Sequence, residues 1–235
     1  MKKSMLIIFV LFFSHGAYST LFFYRYDSVD AEDAFKIGFI PSGHNRNMYE
    51  HIRGTSCFEG DATSNFISTS SSEQMSHIMA ESATPVGMMY YLYTIRPTSN
   101  FYSSVNSLRA AFVRTNDWRF QSTVLDYMHE QEWLALGGID TEQIYSARAY
   151  RSRGPDQQAE FIAEYLNPAY LDADTGPSSG HYYIPDLPRY ESSERSACSI
   201  CSIDSISSMT KRDITDSLSR WKKCRYKMIA AVMDD

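Results

Sequence analysis

The sequence lacks three features, each of which would have pointed to a class of function. It has no basic block: 22 lysines and arginines stand against 28 aspartates and glutamates, and the formal net charge is -6. Without a concentrated positive surface to meet phosphates, nucleic-acid binding is disfavoured. After the first residues no apolar run is long enough to cross a bilayer, so no membrane span is expected in the mature chain. Cys198 and Cys201 have the spacing of zinc ligands, but no second such cysteine pair or histidine partner completes a site. No metal is therefore predicted.

The first residues predict an export signal. Lys2 and Lys3 form a charged start, and the apolar stretch Met5–Phe13 is too short to span a bilayer comfortably. A small-x-small cleavage pattern follows at Ala17-Tyr18-Ser19. Residues 1–19 are therefore predicted to be a secretory signal peptide, and the protein is expected to be secreted.

Export gives the four cysteines a meaning. Cys57, Cys198, Cys201 and Cys224 are an even number in an oxidising compartment, which favours disulfide bonds. The residues themselves leave the pairing open. Because Cys57 is far from the other three in sequence, a bond from it would tie the C-terminal region to the N-terminal half.

Two carboxylates stand close together in Glu130-Gln131-Glu132-Trp133-Leu134. The apolar run that follows ends at paired glycines, a pattern typical of a short strand. On a strand Glu130 and Glu132 share one face, and their repulsion is expected to raise the pKa of at least one carboxyl. Such a pair divides acid and base roles or stabilises a developing positive charge. The alternative, from this stretch alone, is the solvated face of an edge strand.

Two other stretches combine a strand pattern with polar side chains. Leu21–Ser28 predicts an aromatic strand in which Arg25 either points into water at a sheet edge or holds a carboxylate or phosphate in a cleft. Phe66 begins a second strand that ends in a run of hydroxyl side chains. Ser71 or Ser72 is then expected to cap a helix.

The remaining elements follow from periodicity and from turn residues. The strand Gly87–Arg96 is apolar on both faces, so it is expected in the middle of a sheet. After Tyr150, glycines and prolines predict irregular chain to about Ser196. Further predictions are helices at Val29–Gly38, at Trp118 to about Met128 and at about Lys211 to Val232, and a strand at Ile144–Tyr150.

Together these stretches resemble the catalytic A subunits of pertussis-like AB5 toxins, which are ADP-ribosylating enzymes. The arginine, serine-threonine-serine and glutamate motifs of that family are similar to Tyr24-Arg25-Tyr26-Asp27-Ser28, Ser68-Thr69-Ser70-Ser71-Ser72 and Glu130-Gln131-Glu132-Trp133-Leu134. His51-Ile52-Arg53-Gly54-Thr55-Ser56-Cys57 and Asn100-Phe101-Tyr102 also resemble it. The resemblance is dense from Tyr24 to Tyr150 and loose afterwards. The order and spacing of the motifs, together with the export signal, make it specific.

The resemblance implies an α+β fold whose mixed, split β-sheet forms a cleft for NAD. Residues 20–190 would form the catalytic domain, and residues 191–235 would carry disulfide cysteines and a helix that docks into a B-subunit pentamer. NAD, and not NADP, would be the substrate, and no metal would take part. The implied host partner is a heterotrimeric G-protein α subunit, modified in the host cytosol.

The resemblance also implies catalytic roles. Glu132 would bind the hydroxyls of the nicotinamide ribose and stabilise an oxocarbenium-like transition state. His51 would help to activate the acceptor as a general base. Pertussis toxin has a glutamine where this chain has Glu130 and modifies a cysteine, whereas a glutamate there resembles the arginine-directed pattern of cholera-type toxins. The acceptor residue therefore stays open between the two.

A second set of residues is implied to bind NAD. Arg25 would hold the NAD phosphates and the cleft, and Ser68 would support the strand and hydrogen-bond the catalytic glutamate. Three positions depart from the family pattern: Ser42 stands where pertussis toxin has a tryptophan, and Met75 and Met79 stand where it has tyrosines. The implied NAD-binding residues are Tyr24, Arg25, Asp27, Ser68 and Thr69.

Two other functions compete with toxin catalysis. A secreted glycosidase would use Glu130 and Glu132 at the carboxyl separation of about 5 Å found in retaining enzymes. It leaves the arginine strand and the serine run unexplained. A non-catalytic secreted binding module would use a tyrosine-rich surface, since the chain has 17 tyrosines.

Overall fold

The computed structural model describes residues 21–58, 62–154 and 157–188. These residues form seven strands and six α-helices. The strands are β1 (Phe23–Asp27), β2 (Phe66–Ser70), β3 (Met89–Ile95), β4 (Phe101–Ser103), β5 (Glu132–Leu136), β6 (Ile144–Arg151) and β7 (Glu160–Leu166). The helices are α1 (Ala31–Ile37), α2 (Met48–Ile52), α3 (Thr55–Phe58), α4 (Glu73–Ala83), α5 (Ser104–Thr115) and α6 (Trp118–Tyr127). The predicted signal peptide, Cys198, Cys201, Cys224 and the last predicted helix lie outside the described residues.

The strands form one open sheet in the order β4-β5-β2-β1-β3-β6-β7. Every neighbouring pair of these described strands is antiparallel, rather than a mixture of parallel and antiparallel pairs. Strand β3 lies in the interior of the sheet, as its apolar sequence predicted. The α+β class is confirmed.

The sheet is split along the line between β1 and β2, which we call the seam. Strands β1 and β3 align five residue pairs, and so do β2 and β5. Across the seam, by contrast, Tyr24 opposite Ser70 is the aligned pair. Strand pairing is therefore extensive within each half of the sheet and slight between the two halves.

Helices cover both faces of the sheet, and on one face they cover its two halves separately. On one face, an apolar cluster that includes Ala34 of α1 packs on both halves. On the opposite face, Met79 of α4 packs with Tyr26 and belongs to one cluster, whereas Leu108 of α5 packs with Leu134 and belongs to another. The boundary between these two clusters lies over the seam and leaves room for a cleft there.

Local sequence signals set the helix boundaries. The Asp30 carboxylate accepts from the amide of Asp33 at 2.9 Å and begins α1, and Gly38 ends it with a φ of 72°. A Cβ at Gly38 would lie 2.2 Å from the Ile139 carbonyl oxygen, so a side chain there is excluded. Ser72, one of the two predicted cap residues, begins α4, and Asp117 begins α6 at Trp118, where a helix was predicted, so both helices are confirmed.

The region after Tyr150 is more regular than predicted. Strand β6 continues to Arg151, and β7 pairs with it as an edge strand whose side chains, such as Phe161 and Tyr165, are largely exposed. The expectation of irregular chain is therefore wrong for Glu160–Leu166. It holds for residues 167–188, within which the Tyr182 amide donates to Ser107 Oγ on α5 at 2.9 Å.

Candidate active site

A cleft opens at the seam, on the face of the sheet that α4 and α5 cover. Residues that pair directly across neighbouring strands point to the same side, so Tyr24, Ser70 and Glu132 form one row on this face. The cleft encloses about 250 Å³ of empty space, part of it open to solvent. Its lining consists of Tyr24, Arg25, Tyr26, Ser68, Thr69, Ser70, Ser76, Met79, Glu130 and Glu132.

Arg25 spans the seam from β1. Its side chain is fully buried, and Nη2 lies 2.5 Å from Asp27 Oδ2. Nη1 donates to the Ser68 carbonyl oxygen of β2 at 3.1 Å, and the guanidinium lies 4.9 Å from the ring centre of Phe39. A buried guanidinium needs such compensation. The edge-strand alternative with Arg25 in water is therefore wrong, and Asp27 serves as its counter-charge.

Glu132 begins β5 and is 5% exposed. Burial raises the pKa of its carboxyl to about 7 from an ordinary 4.5, and hydrogen bonds from the side chains of Ser68 and Ser104 act in the opposite direction. Near neutral pH this carboxyl is therefore partly protonated. When ionised, it is a buried negative charge beside the hydroxyls of Ser68 and Ser104, and Ser104 Oγ also donates to the Glu132 carbonyl oxygen at 3.1 Å.

Glu130 reaches the cleft by a different backbone path from the one predicted. It ends the 3₁₀ turn Met128–Glu130, and Gln131 adopts a left-handed conformation (φ 48°, ψ 42°) before β5 begins. The prediction that Glu130 and Glu132 lie on one strand and share its face is therefore wrong, because Glu130 precedes β5. The solvated-edge alternative is wrong too, because Glu130 is 3% exposed and lines the cleft with Glu132.

Residues at the end of β2 and just after it hold this turn in place through hydrogen bonds. Ser70 Oγ donates to the Glu130 carbonyl oxygen at 2.7 Å, and the Ser71 amide donates to the Gln131 carbonyl oxygen at 3.1 Å. Thr69 Oγ1 donates to the Trp133 carbonyl oxygen at 2.7 Å, which joins β2 to β5. The serine-threonine-serine run therefore positions the glutamate segment through its backbone.

His51 lies behind Ser68 rather than on the cleft wall. Its Nε2 is 2.8 Å from Ser68 Oγ, its Nδ1 is 2.6 Å from Ser64 Oγ, and the residue is 2% exposed. Burial, with the positive charge of Arg25, lowers the pKa of the imidazole to about 3. The ring is therefore neutral at physiological pH and connected to Glu132 through one hydroxyl. Its predicted role as a general base stays a prediction.

The α4 side of the cleft contributes Tyr24 contacts and an apolar wall. Ser76 Oγ donates to the Tyr24 carbonyl oxygen at 3.2 Å and fixes α4 against β1. Burial raises the pKa of the Tyr24 hydroxyl, and the nearby Glu73 carboxylate adds to the rise. Met75 and Met79 pack in the same cluster as Tyr26, and Met79 lines the cleft.

Several functional side chains were not predicted. Ser104 was missed because α5 itself was missed: its buried side includes Ser104 and Ser107, which weakens the apolar stripe. Ser64 lies in a turn-rich stretch, and nothing in its neighbours marks it.

Within the described part of the chain, no group of three or more His, Cys, Asp or Glu side chains could hold a metal ion. No helix among the described residues has the length and apolarity to cross a membrane.

Comparisons with known proteins point to one family. The family model described as "Pertussis toxin, subunit 1" matches residues 19–175. The pertussis toxin subunit 1 homolog of Bordetella parapertussis is 33% identical over 174 residues, which are 68% of this chain and 64% of that protein. The heat-labile enterotoxin A chain of Escherichia coli is 26% identical over 199 residues, 80% of this chain and 72% of that one.

A solved structure is similar as well. The structure of EcPltA superimposes with a TM-score of 0.64 at 26% identity and covers 71% of this chain and 98% of EcPltA. The region matched to the Bordetella relative is thus a little under two thirds of that protein's length.

Proposed function

The chain belongs to the pertussis toxin subunit 1 family, and from this premise we propose that it transfers ADP-ribose from NAD to a host protein, a heterotrimeric G-protein α subunit. One observation carries the proposal. At the seam, a buried glutamate lies beside two serine hydroxyls, a second carboxylate and a fully buried arginine. A glutamate in this setting suits the stabilisation of a sugar cation.

The chemistry assigns Glu132 to the ribose. The C–N bond between ribose and nicotinamide breaks, its electron pair leaves with the neutral nicotinamide, and positive charge develops on the sugar. The Glu132 carboxylate stabilises that charge from a fixed position and binds the ribose hydroxyls. A nucleophile of the acceptor then forms a bond to the same carbon and loses its proton.

Glu130 is assigned to the acceptor side. It lies in the same cleft but on the turn that precedes β5, so its carboxyl approaches the sugar from a different backbone position. A carboxylate there attracts a guanidinium and accepts a proton from it. The Glu130 carboxylate therefore makes arginine a candidate acceptor, in addition to the cysteine that pertussis toxin modifies.

Arg25 is assigned to the cleft and to the electrostatics of NAD binding. Its fork is engaged with Asp27 and the Ser68 carbonyl oxygen, so it bridges β1 and β2 at the seam. Its positive charge at the cleft floor favours the NAD diphosphate. Tyr24 and Thr69 complete the lining on either side of the seam.

The remaining assignments concern the whole toxin. We infer export through residues 1–19, a catalytic domain at 20–190, and docking of residues 191–235 into a B-subunit pentamer. A disulfide from Cys57 to Cys198 or Cys201 would hold the C-terminal region near the cleft in the secreted form. In the reducing host cytosol this bond would open.

Labelled NAD tests the proposal directly. The purified protein is incubated with labelled NAD and a trimeric G protein, and the modified residue is located by mass spectrometry. We expect the label on the α subunit in the parent and a deep loss of labelling in Glu132→Gln, with Glu81→Gln as a control. Glu81 is a partly buried carboxylate on α4 that accepts from the Ala159 amide at 3.1 Å. Sugar release without NAD consumption would support the glycosidase, and inactivity towards both would support a binding module.

A further inference from the structure

A chain of four buried side chains runs from the catalytic carboxylate into the protein. The carboxyl of Glu132 is hydrogen-bonded by the Ser68 side chain, Ser68 Oγ is 2.8 Å from His51 Nε2, and His51 Nδ1 is 2.6 Å from Ser64 Oγ. All four residues are at most 5% exposed. Each link contains a hydroxyl or ring nitrogen whose proton can point in only one direction at a time, so one choice fixes the others.

The ionised carboxylate dictates the direction of the chain. An ionised Glu132 only accepts hydrogen bonds, so the single Ser68 proton must point to it. Ser68 Oγ then accepts from His51, which requires a proton on Nε2. A neutral imidazole carries one proton, so Nδ1 becomes an acceptor, and Ser64 must supply the proton for that bond.

The surroundings of Ser64 agree with this direction. The Phe66 amide donates to Ser64 Oγ at 3.1 Å, which occupies an acceptor position of the hydroxyl and leaves its proton free to turn towards His51. A histidine whose second nitrogen is fixed by a neighbour keeps one tautomer. Ser64 stands in the position of that neighbour.

We propose that Ser64 is a positioning residue for catalysis, whose hydroxyl donates to His51 Nδ1, selects the Nε2-protonated tautomer and so keeps the Ser68 proton on the ionised Glu132. When Glu132 is protonated, the same chain reverses: Ser68 donates to Nε2, and Nδ1 donates to Ser64. The tautomer of His51 therefore reports the charge of Glu132. Other ionisable groups lining the cleft with Glu132 are Tyr24, Arg25, Tyr26 and Glu130.

A first test reads the tautomer without any substrate. The protein labelled with ¹⁵N-histidine is titrated by NMR, and His51 is assigned among the six histidines by comparison with His51→Asn. We expect the hydrogen on Nε2 at alkaline pH, with a change of tautomer as Glu132 titrates. A proton on Nδ1 at alkaline pH overturns the proposal. This measurement stands even if the protein proves to have no activity on NAD, so failure of the proposed function is seen separately.

A second test uses variants, and its activity arm rests on the proposed function. Ser64→Ala removes one hydrogen bond that favours the productive tautomer, so kcat/KM for NAD hydrolysis at neutral pH should fall about five- to tenfold. The midpoint of the pH profile should move upward, since Ser68 no longer favours the ionised carboxylate. Ser64→Thr keeps the hydroxyl and should restore the parent profile. Unchanged midpoint and tautomer in a folded Ser64→Ala protein overturn the proposal.

Ser152 provides the matched control. It is 1% exposed, its Oγ donates to the Thr84 carbonyl oxygen at 2.9 Å, and it accepts from the amide two residues later, as Ser64 does. It lies at the far end of α4 from the cleft. Ser152→Ala should lower stability to a similar degree and leave both the His51 tautomer and the pH midpoint unchanged. A shift of the midpoint in this control as well would show a general loss of packing and overturn the specific role of Ser64.

Discussion

Arg25 on β1 donates to the Ser68 carbonyl oxygen on β2 at 3.1 Å, across the line where the two halves of the sheet diverge. The contact joins the arginine motif to the serine motif through the backbone rather than through a ligand. The contact relates two stretches that are distant in sequence. Arg25 helps to set the position of β2, and Ser68 on β2 hydrogen-bonds the Glu132 side chain.

Glu132→Gln should reduce NAD hydrolysis and transfer by roughly two to three powers of ten, the size of losing one key electrostatic stabiliser. Glutamine keeps the size of the side chain and one acceptor oxygen, so the loss of the negative charge is the main change. Initial rates with labelled NAD measure the effect. Near-parent turnover would remove Glu132 from its assigned role.

Arg25→Lys should lower both activity and stability, because an ammonium cannot hold Asp27 and the Ser68 carbonyl oxygen with one planar fork. Breaking a buried pair typically costs about 3–5 kcal/mol, and keeping the charge should make the loss smaller. The control is Arg96→Lys: Arg96 is 5% exposed, donates to the Leu171 carbonyl oxygen at 3.0 Å and does not line the cleft. Urea unfolding and kcat are measured on both. If Arg96→Lys loses as much kcat as Arg25→Lys, the seam has no special part in catalysis.

Glu130→Gln should impair transfer to protein more than hydrolysis of NAD, because the acceptor needs the second carboxylate and water needs it less. The ratio of the two rates, measured on the same preparation, checks this. Equal loss of both rates would assign Glu130 to the architecture of the cleft instead.

The raised pKa of Glu132 makes activity and stability respond to pH in opposite ways. Activity needs the carboxylate, so kcat/KM should rise with pH through a midpoint near 7. Stability should fall between about 4.5 and 7, because the unfolded chain releases this proton earlier than the folded one. The difference corresponds to roughly 3 kcal/mol in full.

Glu132→Gln isolates that effect. His51 contributes a rise in stability from about pH 3 to 6.5, since the unfolded chain binds its proton first, and it is present in both proteins. The variant should therefore match the parent at pH 4 and exceed it at pH 8 in urea unfolding. A parent that gains stability relative to the variant as pH rises would contradict the sign.

With the proposed tether at Cys57, reduction should activate the oxidised protein. The main chain of Cys57 lies in α3, and the carbonyl oxygen of the preceding Ser56 accepts from the Ser64 amide at 3.1 Å, so a tether at Cys57 would be anchored close to the His51 side of the site. NAD hydrolysis is measured with and without a mild thiol reductant, in the parent and in Cys57→Ser. We expect activation by reductant in the parent alone. Full activity of the oxidised parent would limit the bond to stabilisation, typically about 2–4 kcal/mol.

Local signals in the sequence were enough to place much of the fold. Serine and aspartate caps began α4 and α6 where predicted, and the apolar strand Met89–Ile95 lies inside the sheet. These features depend on neighbouring residues only, so the sequence contains them fully. The family resemblance supplied the rest of the fold class.

Features that depend on distant parts of the chain were not predicted. Gln131 adopts a left-handed conformation without being glycine or asparagine, so no residue type announced the turn that separates Glu130 from β5. Strand β7 was missed because its apolar side chains are exposed at an edge and follow a glycine-proline break. Ser64 reaches His51 across 13 residues, a distance over which neither helical nor strand periodicity applies.

The single aligned pair at Tyr24 and Ser70 has a mechanical consequence. Ligand pockets in proteins usually measure about 300–1,000 Å³, whereas the cavity at the seam, with open solvent left out, has a volume of about 10 Å³. A dinucleotide therefore has to widen it, and the seam is where the sheet gives way at the least cost in backbone hydrogen bonds. The two halves of the sheet meet at this pair, and the Arg25 guanidinium bridges them through Asp27 and the Ser68 carbonyl oxygen. Ser68 lies on β2 and Ser104 follows β4, in the same half of the sheet as Glu132, so we expect these three residues to keep their mutual geometry when the seam widens.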